Sequence, residues 1–174
     1  MNLGGWQVHT QPPQEPALPE KPKVAIGSDH AGFALKEGVR EYLQNLGYEV
    51  EDCGTHSEQP ADYPDYAKKV GERVAGGSAI TGIVICGTGL GVAIAANKVT
   101  GIRAATCNNT LLARFARAHN DANVLAMGGR IVDRAQAEKI LDTWFSTSFA
   151  GGRHEQRVEK ITAIEEAQSE EKTS

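Results

Sequence analysis

The sequence is poor in the residues that mark metal, membrane and nucleic-acid proteins. Its three cysteines, Cys53, Cys86 and Cys107, are an odd number without metal-type spacing. That argues against a disulfide scaffold and suits a reducing cytoplasm; no metal is expected. No apolar run approaches the ~20 residues of a membrane span. The start has no basic segment followed by an apolar one, so a secretory signal is not expected. Cations are not in excess: the net charge is −4, which argues against broad binding to nucleic acid or to an anionic membrane. Proline is scarce after residue 22, because Pro12, Pro13, Pro16, Pro19 and Pro22 all fall in the first segment. Residues 1–22 therefore read as an extended or disordered arm. The remaining length fits one domain with a sizeable core.

Three glycine motifs are missing as well. A dinucleotide fold wants Gly-x-Gly-x-x-Gly and an acid about 20 residues on. Here the spacing is Gly-x-Gly-x-Gly, and Arg103 to Asn109 offers no acid. Neither Gly27–Gly32 nor Gly87–Gly91 carries the Gly-Lys-Ser/Thr of a P-loop. A hydrolase elbow would put a nucleophile at Thr88, without an obvious Ser-His-Asp arrangement to support it.

What is present centres on Cys86-Gly-Thr-Gly-Leu-Gly91, which follows the apolar run Gly82–Cys86 and opens a small-residue helical run. The reading is strand, glycine turn, helix. Gly87, Gly89 and Gly91 let the backbone turn and approach a ligand, and the next helix's amides point at whatever sits there. The alternative is an ordinary tight turn with a buried cysteine.

Around this stretch, strands are expected at Lys23–Ser28, Tyr48–Asp52, Ile102–Thr106 and Asn123–Met127. Leu35, Val39, Tyr42, Leu43 and Leu46 space a helix that Gly47 stops. Ala67, Val70 and Val74 space a second, from about Pro64 to Gly76-Gly77. Leu111, Leu112, Phe115 and Ala118 mark another, with His119-Asn120 at its end. Asp133 and Gln136 suit a helix start, followed by Ala137, Ile140, Leu141, Trp144 and Phe145 on its inner face. A last helix starts near Arg153, with Val158, Ile161 and Ile164 inward, and the acidic end from Glu165 to Ser174 frays. The domain is thus expected over residues 23–164. Strands alternating with helices imply an α/β fold with a doubly wound, five-stranded parallel sheet. Ligands collect at the carboxyl ends of such strands, where Asp29-His30, Cys86–Gly91 and Gly128–Arg130 should converge.

Several of these residues read two ways. Asp29-His30 is either a turn cap or part of a site. His119 is a surface histidine or a functional one, and its position at a helix end favours its protonated form. Arg153 and Arg157 share a helix face, with His154 nearby. They form a solvated basic face or, with Arg130, a phosphate clamp. A thiol, a hydroxyl, histidines and an anion hole suit an aldose–ketose isomerase of phosphosugars, which needs acid–base groups and enediolate donors but no cofactor.

From Lys23 to about Ile164 the chain closely resembles the ribose-5-phosphate isomerase B and galactose-6-phosphate isomerase family. The matching stretches are Gly27–Phe33, Asp62–Pro64, Cys86–Gly91, Ala95–Lys98, His119–Leu125, Gly128–Arg130 and Gly151–Arg157. The resemblance implies a Rossmann-like fold with an extra C-terminal helix. It also implies a homodimer or tetramer with sites shared between subunits, and interconversion of ribose 5-phosphate and ribulose 5-phosphate in the pentose phosphate pathway. It makes Cys86 the base at C1/C2, assisted by Thr88. His119 opens the ring, with Asp29 opposing. The amides from Gly87 through Thr88, Gly89 and Leu90 to Gly91 hold the enediolate. Asn120 contacts the sugar, and Arg130, Arg153 and Arg157 take the phosphate with His30 close by. Val92 stands where one branch of the family has a glutamate base, so the cysteine-dependent branch is implied. A thiol's ordinary pKa is about 8.5, and donors around the turn are expected to lower it. Cys53 and Cys107 read as structural. The rivals are an isomerase of a 4- or 6-carbon phosphosugar, differing at the loop from Cys53 to Asp62, and a non-catalytic phosphosugar-binding module.

Helix direction adds one expectation. From Asn109 to Ala118 the chain runs back across the sheet for roughly 15 Å at 1.5 Å per residue. His119 should then lie at the opposite edge from Cys86 of its own chain, so a second subunit must supply it.

Overall fold

The computed structural model describes residues 21–171, with side chains to residue 168. The proline-rich arm up to residue 20 and the last residues of the acidic end, 172–174, lie outside the described residues.

Five strands form one sheet: β1 (Lys23–Ser28), β2 (Glu49–Asp52), β3 (Thr81–Cys86), β4 (Ala104–Thr106) and β5 (Val124–Gly128). Between and after them come α1 (Phe33–Asn45), α2 (Tyr63–Ala75), α3 (Leu90–Ala96), α4 (Thr110–Asn120) and α5 (Arg134–Ser146). A 3-10 turn at Gly152–His154 then leads into α6 (Glu155–Glu171). All strand pairs are parallel, in the order β2-β1-β3-β5-β4. Parallel neighbours need crossovers, which is why a helix follows each strand. After β1 the chain steps outward to β2, then returns to the other side of β1 for β3. That reversal opens a crevice at the carboxyl ends of β1 and β3.

The central strands are buried on both faces, so their alternation separates two cores. Val24, Ile26, Ile83, Ile85, Leu125 and Met127 face α1, α4 and α5. Ala25, Val84, Cys86, Val124 and Ala126 face α2 and α3. Cys86 therefore ends its strand on the α2/α3 side. Helix starts are fixed locally: Asp133 Oδ1 accepts from Gln136 N–H at 2.8 Å, and Asn109 Oδ1 from Leu112 N–H at 2.9 Å. Such caps each contribute about 1 kcal/mol.

Three packing expectations change. Leu46 is the residue that caps α1 and is exposed rather than part of its inner face. The inward residues of α4 are Ala113 and Ala116, while Leu111, Leu112 and Phe115 face outward. On α6, Val158 is half-buried but Ile161 and Ile164 are 46% and 61% exposed. The expectation that they turn inward assumed that the helix lies on its own domain. Instead α6 stands off the body across a cavity that Ile161 and Ile164 line together with Ile102 and Ala104, and Glu165 Oε2 accepts from Gly101 N–H at 2.9 Å. The acidic segment expected to fray is helical as far as Glu171.

Candidate active site

At the carboxyl edge the glycine turn is tied down from several sides. Cys86 Sγ, 5% exposed, accepts from Gly89 N–H at 3.2 Å. Thr88 Oγ1 accepts from Leu90 N–H at 3.3 Å. Gly89 has φ +82°, and a Cβ there would stand 2.9 Å from the Met127 carbonyl carbon. No side chain fits both constraints. Arg130 follows β5, donates its N–H to Gly87 O at 3.0 Å, and lays its side chain over Gly87 at ordinary contact distance. Two of the amides expected to hold an oxyanion, those of Gly89 and Leu90, thus serve the turn itself.

Beside the turn, across the β1–β3 crevice, Asp29 is 7% exposed and its Oδ1 accepts from Gly32 N–H at 3.0 Å. Asp29 is therefore a turn cap that still borders the crevice. His30 is exposed, and its Nδ1 accepts from Ala61 N–H at 3.2 Å.

A second cluster forms at the opposite edge. His119 lies in the last turn of α4, stacked on Phe115 with ring centroids 4.8 Å apart and on His154 at 4.2 Å, the two imidazoles nearly parallel at 5°. Ala150 N–H donates to Ala118 O, which ties the segment before Gly151 to the end of α4. Arg153 Nε donates to His154 Nε2 at 3.5 Å. Asn120 is held by its carbonyl, which accepts from Arg103 Nε. Burial pushes His154 below the usual histidine range, and the nearby His119, Arg153 and Arg157 push the same way. Arg153 and Arg157 are exposed.

These clusters do not meet within one chain. Asn123, just after His119 and Asn120, pairs with Arg103 before β4, while Cys86 is in register with Gly128 at the end of β5. From Val124 to Gly128 the strand covers roughly 13 Å. The structure brings together Cys86, Gly87, Thr88, Gly89, Leu90, Gly91, Arg130, Asp29 and His30 at one edge. It gathers His119, Asn120, Arg153 and Arg157 at the other.

The other two thiols differ from Cys86 in what they bond to. Burial raises Cys107 to about 12, and burial together with Glu51 raises Cys53. Each donates weakly to a carbonyl, Cys53 to Glu51 and Cys107 to Ala105. Cys86 accepts instead.

Sequence reasoning missed the residues that brace the turn. Asn108 donates through Nδ2 to Thr88 O at 3.1 Å and accepts at Oδ1 from Gly128 N–H at 2.8 Å. It thereby joins β5 to the glycine turn. Thr106 Oγ1 donates to Gly89 O at 3.0 Å. Tyr63 lies so close to Gly91 that a Cβ there would stand 2.8 Å from the ring. Asn108 had one usable signal, its place just beyond a predicted strand end. Tyr63 stands in a matching stretch, but nothing in the sequence paired it with Gly91. Among the described residues no three or more His, Cys, Asp and Glu side chains gather as a metal site, and no helix is long and apolar enough to cross a membrane.

The fold and its thiol-bearing turn define an α/β enzyme of the sugar-isomerase kind rather than a nucleotide binder. More narrowly, the chain belongs to the ribose/galactose isomerase family, whose model matches residues 24–161. It is 51% identical over 144 residues to ribose-5-phosphate isomerase B of Escherichia coli, covering 83% of this chain and 97% of that protein. It is 43% identical over 153 residues to 4-deoxy-4-sulfo-D-erythrose isomerase of a Clostridium species, covering 83% and 96%. Among solved structures, ribose-5-phosphate isomerase B of Clostridium thermocellum superposes with a TM-score of 0.83 at 54% identity, covering 84% of this chain and 99% of that one.

Proposed function

We propose that the protein interconverts ribose 5-phosphate and ribulose 5-phosphate through an enediolate, as a step of the pentose phosphate pathway. The observation that carries this reading is the Cys86 sulfur, held by the Gly89 amide at the switch point of the sheet, in a chain half identical to a ribose-5-phosphate isomerase B.

The residues take these roles. His119 and Asp29 open the furanose ring, one giving a proton to the ring oxygen and the other taking one from O1. The Cys86 thiolate removes the proton from C2 and returns it at C1. Thr88 Oγ1 carries the hydroxyl proton from O2 to O1, so atoms and charge balance. Amides from Gly87 to Gly91 that the turn leaves available hold the enediolate oxygen. Asn120 contacts the sugar, and Arg130, Arg153 and Arg157 take the phosphate, with His30 close by.

Such a site needs both edges of the sheet, so it is built between two subunits of a homodimer, each lending its amino-edge cluster to the other's glycine turn. The stack of His154 on His119 and the bond from Arg153 to His154 make Arg153 and Arg157 travel with His119. The outward Leu111, Leu112, Phe115, Ile161 and Ile164 supply apolar surface for such a contact. Three free thiols suit the reducing cytoplasm.

Turnover of ribose 5-phosphate by the purified protein tests the reading, with 4- and 6-carbon phosphosugars alongside. A second reading has one specific support, the relative named for a sulfo-erythrose. A 4-carbon sulfonate turned over faster than ribose 5-phosphate would favour it; no turnover of any sugar would leave a binding module.

A further inference from the structure

Lys36 lies in the first turns of α1 and is wholly buried, at 0% exposure. A buried ammonium is costly unless paired. Here Nζ meets Asp52 Oδ2 at 2.5 Å and Glu37 Oε1 at 3.0 Å, with the Phe33 ring centroid 5.5 Å away. Burial alone does not explain the choice, because an apolar side chain of similar volume usually serves stability as well as a buried pair does. What the pair does is aim Asp52. Its second oxygen, Oδ1, accepts from Gly54 N–H at 2.9 Å. Gly54 O then accepts from Ser28 N–H at 2.6 Å, and Thr55 N–H donates to Ser28 O at 2.7 Å. Ser28 is the residue before Asp29. The same loop ends on His30 through Ala61. Loop 53–62 is thus fixed at its start by Lys36 and Asp52 and at its end by the site itself.

We propose that Lys36, acting through Asp52, is a positioning residue that holds loop 53–62 and the Asp29–His30 corner against the sugar. The proposal rests on the isomerase reading above for its substrate. A misplaced corner lowers the rate more than the grip on phosphate, which belongs mainly to the arginines. Misplacement by about 1 Å costs up to ~100-fold.

The test uses the full chain carrying Lys36→Met, with Lys23→Met, which alters the exposed pair to Glu49, as control. Amide hydrogen exchange should accelerate in residues 28–33 and 53–62 and stay unchanged in α4 and α6. On ribose 5-phosphate, kcat should fall roughly 10–100-fold with little change in KM, while the control matches the parent. Asp52→Asn, which keeps an acceptor for Gly54, should repeat the pattern and is the variant to read if Lys36→Met does not fold. Unchanged exchange in the loop, parent-like kcat, or unfolding of the whole domain in both variants overturns the proposal. The exchange result stands whatever sugar is turned over, so a wrong substrate and a wrong positioning role give different outcomes.

Discussion

The two edges of the sheet are finished to different degrees. At the carboxyl edge, the turn from Cys86 to Gly91 is hydrogen-bonded from Thr106 of β4, from Asn108, and from Gly129 and Arg130 just after β5, and its thiol is buried. The amino-edge cluster has the charge and the histidines but little cover. Arg153 and Arg157 are exposed, and the helices beside them turn Leu111, Phe115, Ile161 and Ile164 outward. One edge is closed by its own chain. The other presents cations flanked by apolar surface, which is the pattern of a site completed from outside. In the proposed reading, a base at one edge and an anion clamp at the other account for both clusters in one small domain.

The sharpest way to break this contrast is at the thiol. Cys86→Ala should bind ribose 5-phosphate and lose about 10²–10⁴-fold in kcat, the usual cost of a positioned base. Cys53→Ala and Cys107→Ala should remain active, since both thiols lie outside the glycine turn and donate to backbone carbonyls. Near-normal kcat in Cys86→Ala would remove Cys86 from the chemistry.

The arginines of the amino edge should respond in KM instead. Arg153→Ala and Arg157→Ala each lose charge-assisted contacts of about 1.5–3 kcal/mol, so KM should rise ~10–100-fold with a smaller change in kcat. Steady-state kinetics on each variant measure the split. Unchanged KM in both would make them a solvated basic face.

The smallest effect concerns His154. Burial and neighbouring cations lower its pKa in the folded chain, so the unfolded chain binds the proton more readily. Stability should therefore be fully present above the ordinary histidine value of about 6.5 and decline as pH falls below it. His154→Asn should flatten that decline, measured as urea midpoints at several pH values. Equal slopes in parent and variant would separate His154 from the cationic cluster.

How much of this could be read in the sequence depended on which contacts are local. The apolar strand through Ile83, Val84, Ile85 and Cys86, the cap at Asp133 and the glycine turn are set within a few residues, and they were legible. The direction of α4, which carries His119 to the amino edge, followed from helix length. Contacts between distant segments were not legible. Asn108 to Thr88, Tyr63 on Gly91 and Lys36 under Asp52 depend on which loops fold together. Ile161 and Ile164 misled for another reason. A helix face patterned for burial looks the same whether its own core or another surface covers it.

The central claim is that the two edges form one site across a two-fold pair. Purified Cys86→Ala and His119→Ala proteins, each inactive alone, would be mixed and allowed to exchange subunits, with exchange followed by mass. The account predicts that activity returns, because a mixed dimer holds one site with both Cys86 and His119 intact. Equal mixing should restore about a quarter of the parent's sites, given two symmetric sites per dimer. Confirmed exchange with no return of activity would contradict it.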